Sequence, residues 1–214
     1  MARNTDPVCK MCRREGLKLY LKGSRCESPK CPIERKRATP GMHGFRRGKL
    51  GEYAIRLREK QKLKRFYGVL ELQFRGYFAA AARSKQNTGE ALLSTLERRL
   101  DNVVHRLGFA PSRAAARQVV AHGHIQVNGH RCTIASQQLK PNDVVKVKPR
   151  NKSLQLVKLN LQTYPQPIPD FLEMLNNDPP EARVIRLPSR GDVDPRLNRD
   201  KELQEQLIIE FCSR

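Results

Sequence analysis

Three stretches of this 214-residue chain repeat apolar positions with helical period. Across Glu52 to Phe66, EYAIRLREKQKLKRF sets Tyr53, Leu57, Leu63 and Phe66 on one narrow side, which predicts a helix whose remaining circumference is basic. A second helix follows over roughly Leu70 to Arg83, and SKQNTG ends it. The most regular run is EALLSTLERRLDNVVHRLG, where Leu92, Leu93, Leu96, Leu100, Val103, Val104 and Leu107 make a single helical stripe and Gly108 supplies the stop. Ser112 then reads as the N-cap of RAAARQVVAHG, closed by Gly123.

After Gly123 the period changes from helical to strand-like. HIQV, an Asn128-Gly129 pair and HRCTI predict a hairpin, because Asn-Gly suits the two left-handed positions of a type I′ turn. VVKVK at 144–148 adds a strand, so residues 96–148 read helix, helix, hairpin, strand. The tail is less regular. YPQPIPDFLEML reads as a proline-interrupted linker into a short helix, and LPSRGDVDP as irregular chain whose RGD carries no chemistry of its own. KELQEQLIIEFCSR reads as a last helix buried through Leu203, Leu207, Ile208 and Phe211.

The expected fold class is therefore α+β. An N-terminal module spans 1–45 and a helical domain spans 46–95, completed by residues 165–214. A small inserted α+β domain of two helices plus hairpin and strands spans 96–160. Residues 161–214 form a linker and a C-terminal helix that packs back.

Charge changes the picture from a plain globular chain to one with a standing partner. Lys and Arg number 42 against 21 Asp and Glu, a net charge of +21. Residues 1–75 carry 21 basic and 7 acidic side chains, residues 76–159 carry 14 and 4, and residues 160–214 carry 7 and 10. Self-repulsion on that scale opposes a compact state unless a polyanion offsets it. No stretch approaches a membrane span, and no basic helix shows the broad apolar face that a lipid surface requires. A nucleic acid is the expected partner, not a membrane. MARNTDPVCK lacks the apolar segment of a secretory signal, so a reducing cytoplasm is expected.

In that compartment four clustered cysteines point to a metal. Cys9-x-x-Cys12 is followed after thirteen residues by Cys26-x-x-x-x-Cys31, two close pairs that can each bite two positions of a tetrahedral site. One structural zinc ion is the expected cofactor, with an iron–sulfur cluster as the alternative that also takes four thiolates. Lys10, Arg13, Arg14, Arg25 and Lys30 surround the thiols and would offset the charge of a tetrathiolate. The segment has few apolar residues, and binding zinc supplies on the order of 10 kcal/mol of folding free energy to such modules. Cys132 and Cys212 lie in apolar runs and are expected to be ordinary buried thiols.

The candidate RNA contacts are basic groups in loops and along helices. Arg13 lies among the cysteines, and the loop PIERKRATPGMHGFRRGKLGEY carries Arg35, Lys36, Arg37, Arg46, Arg47 and Lys49. The first long helix adds Arg56, Arg58, Lys60, Lys62 and Arg65. Arg113 and Arg117 are four apart at a helix start that suits a phosphate, and Lys146, Lys148, Arg150 and Lys152 extend that face. His122, His124 and His130 lack companions at ligand spacing and read as surface or RNA-contacting groups. No glycine-rich phosphate loop, nucleophile elbow or paired carboxylates are present, so neither an enzyme nor a small-molecule substrate is expected.

LERRLDNVVHRLGFAPSRAAARQVVAHGHIQVNG closely resembles the RNA-binding module named after the fourth protein of the bacterial small ribosomal subunit. The match runs through Leu96-Glu97-x-Arg99-Leu100, Ser112-Arg113-x-x-Ala116-Arg117-Gln118 and His122-Gly123-His124-Ile125-x-Val127-Asn128-Gly129. CPIERKRATPGMHG, LREKQKLKRFYGVLELQFRGYF and EQLIIEFCSR resemble other parts of the same S-four family, so the likeness covers nearly the whole chain and is weakest at about 160–200. The resemblance implies a structural ribosomal protein that binds small-subunit (16S) rRNA early and nucleates assembly of the 5′ domain. It also implies a place beside the fifth small-subunit protein, near the channel through which mRNA enters, with an influence on decoding accuracy. Carried over by motif, Ser112, Arg113, Arg117, Gln118 and His124 are the residues expected to face rRNA. Some members keep four zinc-binding cysteines, as this chain does. It departs from the usual pattern with Cys212 and His105 where tyrosine is common, and with Asn142 where glycine is usual. Bacterial and plastid origins fit equally.

Overall fold

The computed structural model describes residues 4–44, 48–49, 51–199 and 202–213. The chain divides into two compact units, one built from Met1–Leu92 with Asp194–Arg214 and the other from Leu93–Val193. The second unit thus runs well past residue 160.

In the first unit, helix α1 (Val8–Glu15) begins after Pro7. It ends at Gly16, whose left-handed φ of 74° lets its N–H donate to the Cys12 carbonyl. A 3₁₀ turn at Gly23–Cys26 follows. Helix α2 (Glu52–Phe66) keeps its expected bounds, and α3 (Glu71–Ala82) comes next. Helix α4 (Thr88–Glu97) contains the division between the two units. The buried centre is Leu19, Leu63, Phe66, Phe74 and Ile208, and each such side chain is worth roughly 1.5–3 kcal/mol when withdrawn from water.

The C-terminal helix α8 (Glu205–Cys212) returns along α2, as expected. The rings of Tyr53 and Phe211 lie 5.4 Å apart, the Lys60 ammonium sits 4.9 Å from the Phe211 centroid, and Arg56 meets Glu210 at 2.8 Å. Ile208 and the preceding Leu203 are buried, whereas Leu207 and Phe211 are half-buried.

The second unit departs from expectation at its start. The stripe from Leu92 to Leu107 is not one helix: α4 stops at Glu97, and α5 (Leu100–Arg106) begins three residues later. Arg99 is extended, with φ −63° and ψ 137°, and bridges the backbone of Gln138. Arg98 N–H still bonds within the helix to Ser94, and its carbonyl accepts from Leu139 N–H, so a loop strand replaces the broken helical ladder.

Helix α6 (Arg113–Ala121) follows, with the Ser112 hydroxyl accepting from Ala115 N–H at 3.2 Å as the N-cap. Strands β1 (Ile125–Val127) and β2 (His130–Arg131) form the expected hairpin, with positive φ at Asn128 (51°) and Gly129 (81°). The Asn128 amide donates to Asp143 at 2.9 Å and its oxygen accepts from Val144 N–H at 2.8 Å, which pins the turn to β3 (Val144–Val147). Asn142 takes the left-handed φ of 70° that its position before Asp143 anticipates.

Two further elements correct the expected tail. Residues 151–163 form α7 (Asn151–Thr163), which buries Ser153 and Val157 and leaves Leu156 and Leu159 exposed. In place of a short helix after the prolines there is a strand pair, β4 (Leu172–Asn177) and β5 (Pro180–Val184). Pro180, Ala182 and Val184 turn inward with period two, which is a strand's burial pattern. The antiparallel sheet is ordered β2-β1-β3-β5-β4, with Val145 opposite Ala182 and Leu172 opposite Val184. One continuous core joins α5, α6, α7 and the sheet through Leu100, Val104, Phe109, Ala116, Val120, Ile125, Val147, Val157 and Phe171.

Ser112→Ala is expected to cost about 1 kcal/mol, a fall of roughly 4–8 °C in the midpoint of a unit this size. Thermal unfolding followed by circular dichroism measures it, and an unchanged midpoint would refute the cap.

Candidate nucleic-acid interface and thiol cluster

Cys9 and Cys12 lie three apart on α1, Cys26 ends the 3₁₀ turn, and Cys31 follows on the next turn. Cys12, Cys26 and Cys31 are buried and Cys9 is half-buried. Burial pushes the Cys12 thiol up to about 11, against a backbone hydrogen bond from Leu19 that favours the thiolate. Burial likewise raises Cys26, whose sulfur accepts from Lys22 N–H at 3.3 Å. The four thiols are near enough for each charge to oppose the next. A cation would relieve that repulsion, and soft sulfur donors with amide support suit zinc. Among the described residues, no group of three or more His, Cys, Asp or Glu side chains is drawn together closely enough to hold a metal. The donor chemistry fits zinc, and the side chains are not assembled as a closed ligand shell. Cys132 is buried, with its thiol donating to Gln137 at 2.8 Å, and Cys212 is half-buried.

The basic groups of the first unit separate by what the carboxylates claim. Arg35, Lys36, Arg37 and Lys49 are exposed, and Arg35 braces the loop by donating to the Pro29 carbonyl at 3.1 Å. Arg13 is half-buried and donates to the Ala38 carbonyl at 3.0 Å, so it fixes the basic loop. Arg46 and Arg47 lie outside the described residues.

The cations of α2 do not form the phosphate-facing row expected of them. Lys60 and Lys62 are buried at 5 % and 2 % exposure, Lys60 meeting Glu71 at 2.5 Å and Lys62 lying 3.9 Å from Glu59. Arg58 donates to Glu15 at 3.2 Å, Arg65 also pairs with Glu15, and Arg56 bridges Glu52 and Glu210. These side chains hold α2 to α1, α3 and α8, because a buried ammonium or guanidinium must be paired where it lies.

The second unit contains a polar network that the apolar stripe concealed. Glu97, Arg99, Asp101, Asn102, Arg106 and Arg113 are all buried. Arg99 grips Asp101 with two bonds at 3.0 and 2.5 Å. The Asn102 amide donates to the Glu97 carboxylate at 2.6 Å, and its oxygen accepts from Arg113 at 2.8 Å. Arg113 therefore points into the fold, which corrects its expected role at a phosphate. Ser112 is buried as a cap, and Arg117 lies 4.0 Å from Asp101.

Gln118 is exposed on α6. His124 is half-buried, its Nδ1 2.9 Å from the Ser153 hydroxyl; burial and then His122, Arg150 and Lys148 hold its pKa below the ordinary value. Those shared causes show that His122, His124, Lys148 and Arg150 cluster. Lys152 is exposed, and exposed Arg131 is a further cation that the sequence reading did not single out. The guanidinium of Arg131 occupies the space beside Gly123 where a side chain would stand, a function for that glycine beyond ending α6.

Residues 3–97 match the family described as the ribosomal protein S4/S9 N-terminal domain, and residues 98–145 match the S4 domain. The protein named small ribosomal subunit protein uS4 from Gloeobacter violaceus is 53 % identical over 214 residues, covering 100 % of both chains. The one from Thermoanaerobacter sp. (strain X514) is 52 % identical over 214 residues, and uS4A of Symbiobacterium thermophilum is 52 % identical over 216, each again end to end. This chain belongs to the uS4 family. The uS4 family is a class of ribosomal structural proteins, not of enzymes. The join of its two matched regions, at Glu97 and Arg98, falls at the break between α4 and α5. Among the described residues no helix is long and apolar enough to cross a membrane.

The ion pairs of α2 leave a signature in acid. Burial raises the Glu71 carboxyl, but hydrogen bonds from Lys60 and Lys64 outweigh it and hold the pKa down to about 2, against 4.5 ordinarily. A folded value below the unfolded one means that stabilisation is complete above about 4.5 and is lost as pH falls toward 2. Glu71→Gln is expected to lower stability at neutral pH and to shrink the loss between pH 4.5 and 2. Denaturant midpoints across that range measure it, and equal acid sensitivity in both proteins would exclude the pairing.

Proposed function

We propose that this chain is a structural constituent of the small ribosomal subunit that binds its 16S rRNA and nucleates assembly of the 5′ domain. The observation that carries the proposal is the positive charge left over after internal pairing. Arg35, Lys36, Arg37, Lys49, Arg131, Arg150 and Lys152 are all exposed, on a chain with a net charge of +21. Phosphates neutralise such groups and release counterions, so binding is driven from both units at once. Gln118, His124 and Lys148 supply polar contacts beside that charge. Full-length membership of the uS4 family supports the ribosomal setting in the cytoplasm.

The acidic tail, with 10 Asp and Glu against 7 Lys and Arg over residues 160–214, suits a protein neighbour better than RNA. The fifth small-subunit protein is the neighbour assigned here, beside the path of incoming mRNA, where the chain contributes to accuracy. Cys9, Cys12, Cys26 and Cys31 hold one structural zinc ion, whose chemistry is to neutralise four thiolates and cross-link a segment with little core. Burial of three of the thiols and the amide bonds to Cys12 and Cys26 support that role.

Log affinity for rRNA is expected to fall linearly with log salt, by about 0.7–0.9 for each phosphate neutralised. Lys36→Ala should remove about one contact from that slope, whereas Lys62→Ala should unfold the first unit without acting through phosphate. Filter binding across a salt series reads the slope, and salt-independent affinity overturns the proposal. For the metal, mass spectrometry of native protein should find one zinc per chain. Chelation or Cys9→Ser should loosen residues 1–45 while residues 93–193 stay folded by hydrogen exchange. Iron in place of zinc, or uniform unfolding, would count against it.

A further inference from the structure

We propose that the cleft between α1 and α2 seats one unpaired nucleotide of the bound RNA; the inference rests on the rRNA-binding role above and names a subsite within it. The cleft measures about 480 Å³ and lies wholly within the first unit. That volume falls in the range of small-molecule sites and far exceeds what a phosphate needs.

Its apolar lining is Pro7, Met11, Pro40, Val69 and Leu70. Leu70 is 37 % exposed at the start of α3 and adds open apolar surface to the cleft. Its charged lining is mainly cationic. Lys10 and Arg14 lie four apart on the same face of α1, both exposed, and neither makes an ion pair among the described residues. This sets them apart from the other two cations of the cleft, since Lys64 is held by Glu71 and Arg65 by Glu15. Two anchored cations and two unclaimed ones face a single carboxylate, Asp6.

A lining that joins apolar side chains to cations matches a nucleotide, which carries a flat apolar face and an anionic phosphate on one framework. Flipped bases are held in this way, stacked against apolar side chains, while the backbone stays outside. Met11 offers a polarisable face for stacking. Gln61, on the α2 wall, brings an amide donor and acceptor to the base edge. A paired base in a continuous A-form helix cannot enter, so the site selects a bulged or looped nucleotide.

The test uses the full-length protein and two probes: an RNA hairpin with one unpaired nucleotide in its stem, and the same hairpin fully paired. Wild type should bind the bulged hairpin about tenfold more tightly, the scale of one stacked base. Gln61→Trp fills the cleft and should abolish the preference while leaving affinity for the paired hairpin unchanged. Leu70→Trp fills it from the opposite wall and serves if the first variant does not fold. A 4-thiouridine at the unpaired position should cross-link to Met11, Pro40 or Leu70 in unmodified protein. Equal affinity for both hairpins, a preference that survives filling, or cross-links elsewhere would overturn the proposal. Small-subunit rRNA titrated alongside separates the two levels: if it still binds, only the nucleotide site fails, and if it does not, the rRNA-binding role fails as well.

Discussion

The second unit depends on how it solves one problem, a set of charges buried beneath its first two helices. Three arginines, at 99, 106 and 117, meet the carboxylates of Glu97 and Asp101, and Asn102 links Glu97 to buried Arg113. A buried ion is tolerated only when its partner and its remaining hydrogen bonds are in place. That requirement dictates local structure. Arg99 reaches Asp101 only with the backbone extended at residue 99, so the helix must break there. Arg113 reaches Asn102 only if α6 starts where Ser112 caps it. The polar network sets the register of α5 and α6, and the apolar side chains then fill the space around it.

The same rule sorts the cations of the first unit. Glu15, Glu59, Glu71 and Glu210 each draw basic groups of α2 inward, so a helix that reads as a basic cylinder is mostly internal scaffolding. Surface pairs contribute little, about 0–1 kcal/mol each, but these are largely shielded and link four elements. Charge counting along a sequence cannot distinguish a lysine committed to a glutamate from one turned to solvent. Among the described residues, the exposed cations without an ion pair, such as Arg35, Lys36, Arg37, Arg131, Arg150 and Lys152, lie outside α2.

Much of the fold was legible where local chemistry has a single outcome. The bounds of α2, the Ser112 cap, the Asn128-Gly129 turn and the returning α8 follow from periodicity, capping and turn rules that neighbours do not override. The break at Arg98 and Arg99 was hidden because the apolar stripe continues through it, and it takes the buried Arg99–Asp101 pair together with a bridge to Gln138, far along the chain, to end the helix. Helix α7 escaped notice because Leu156 and Leu159 lie on its outer side and blur the period. Strands β4 and β5 were masked by flanking prolines that suggest linker, and the pairing of β5 to β3 that ties them to the sheet is long-range. At the candidate site the cysteines and the exposed loop were legible, while the inward turn of Arg113, Lys60 and Lys62 is a tertiary fact.

Chain order adds a constraint on assembly. The first unit is discontinuous, and Arg56 meets Glu210 across 154 residues of sequence. Closing so long a loop in an unfolded chain is slow, because entropy is lost before any contact is gained. The second unit is continuous in sequence and lessens the difficulty from within. Its last residues are tied to its first helices, with Arg106 of α5 donating to the Asp192 carbonyl at 3.0 Å. Asp192 is itself held by Ser189 at 2.8 Å and by Arg186 at 2.6 and 2.8 Å. The RGD that looked like chance is thus a clamp on the exit of the inserted unit. Once that clamp forms, the 86 residues that separate Arg106 from Asp192 no longer count as free loop, which lowers the entropy that α8 must overcome to meet α2.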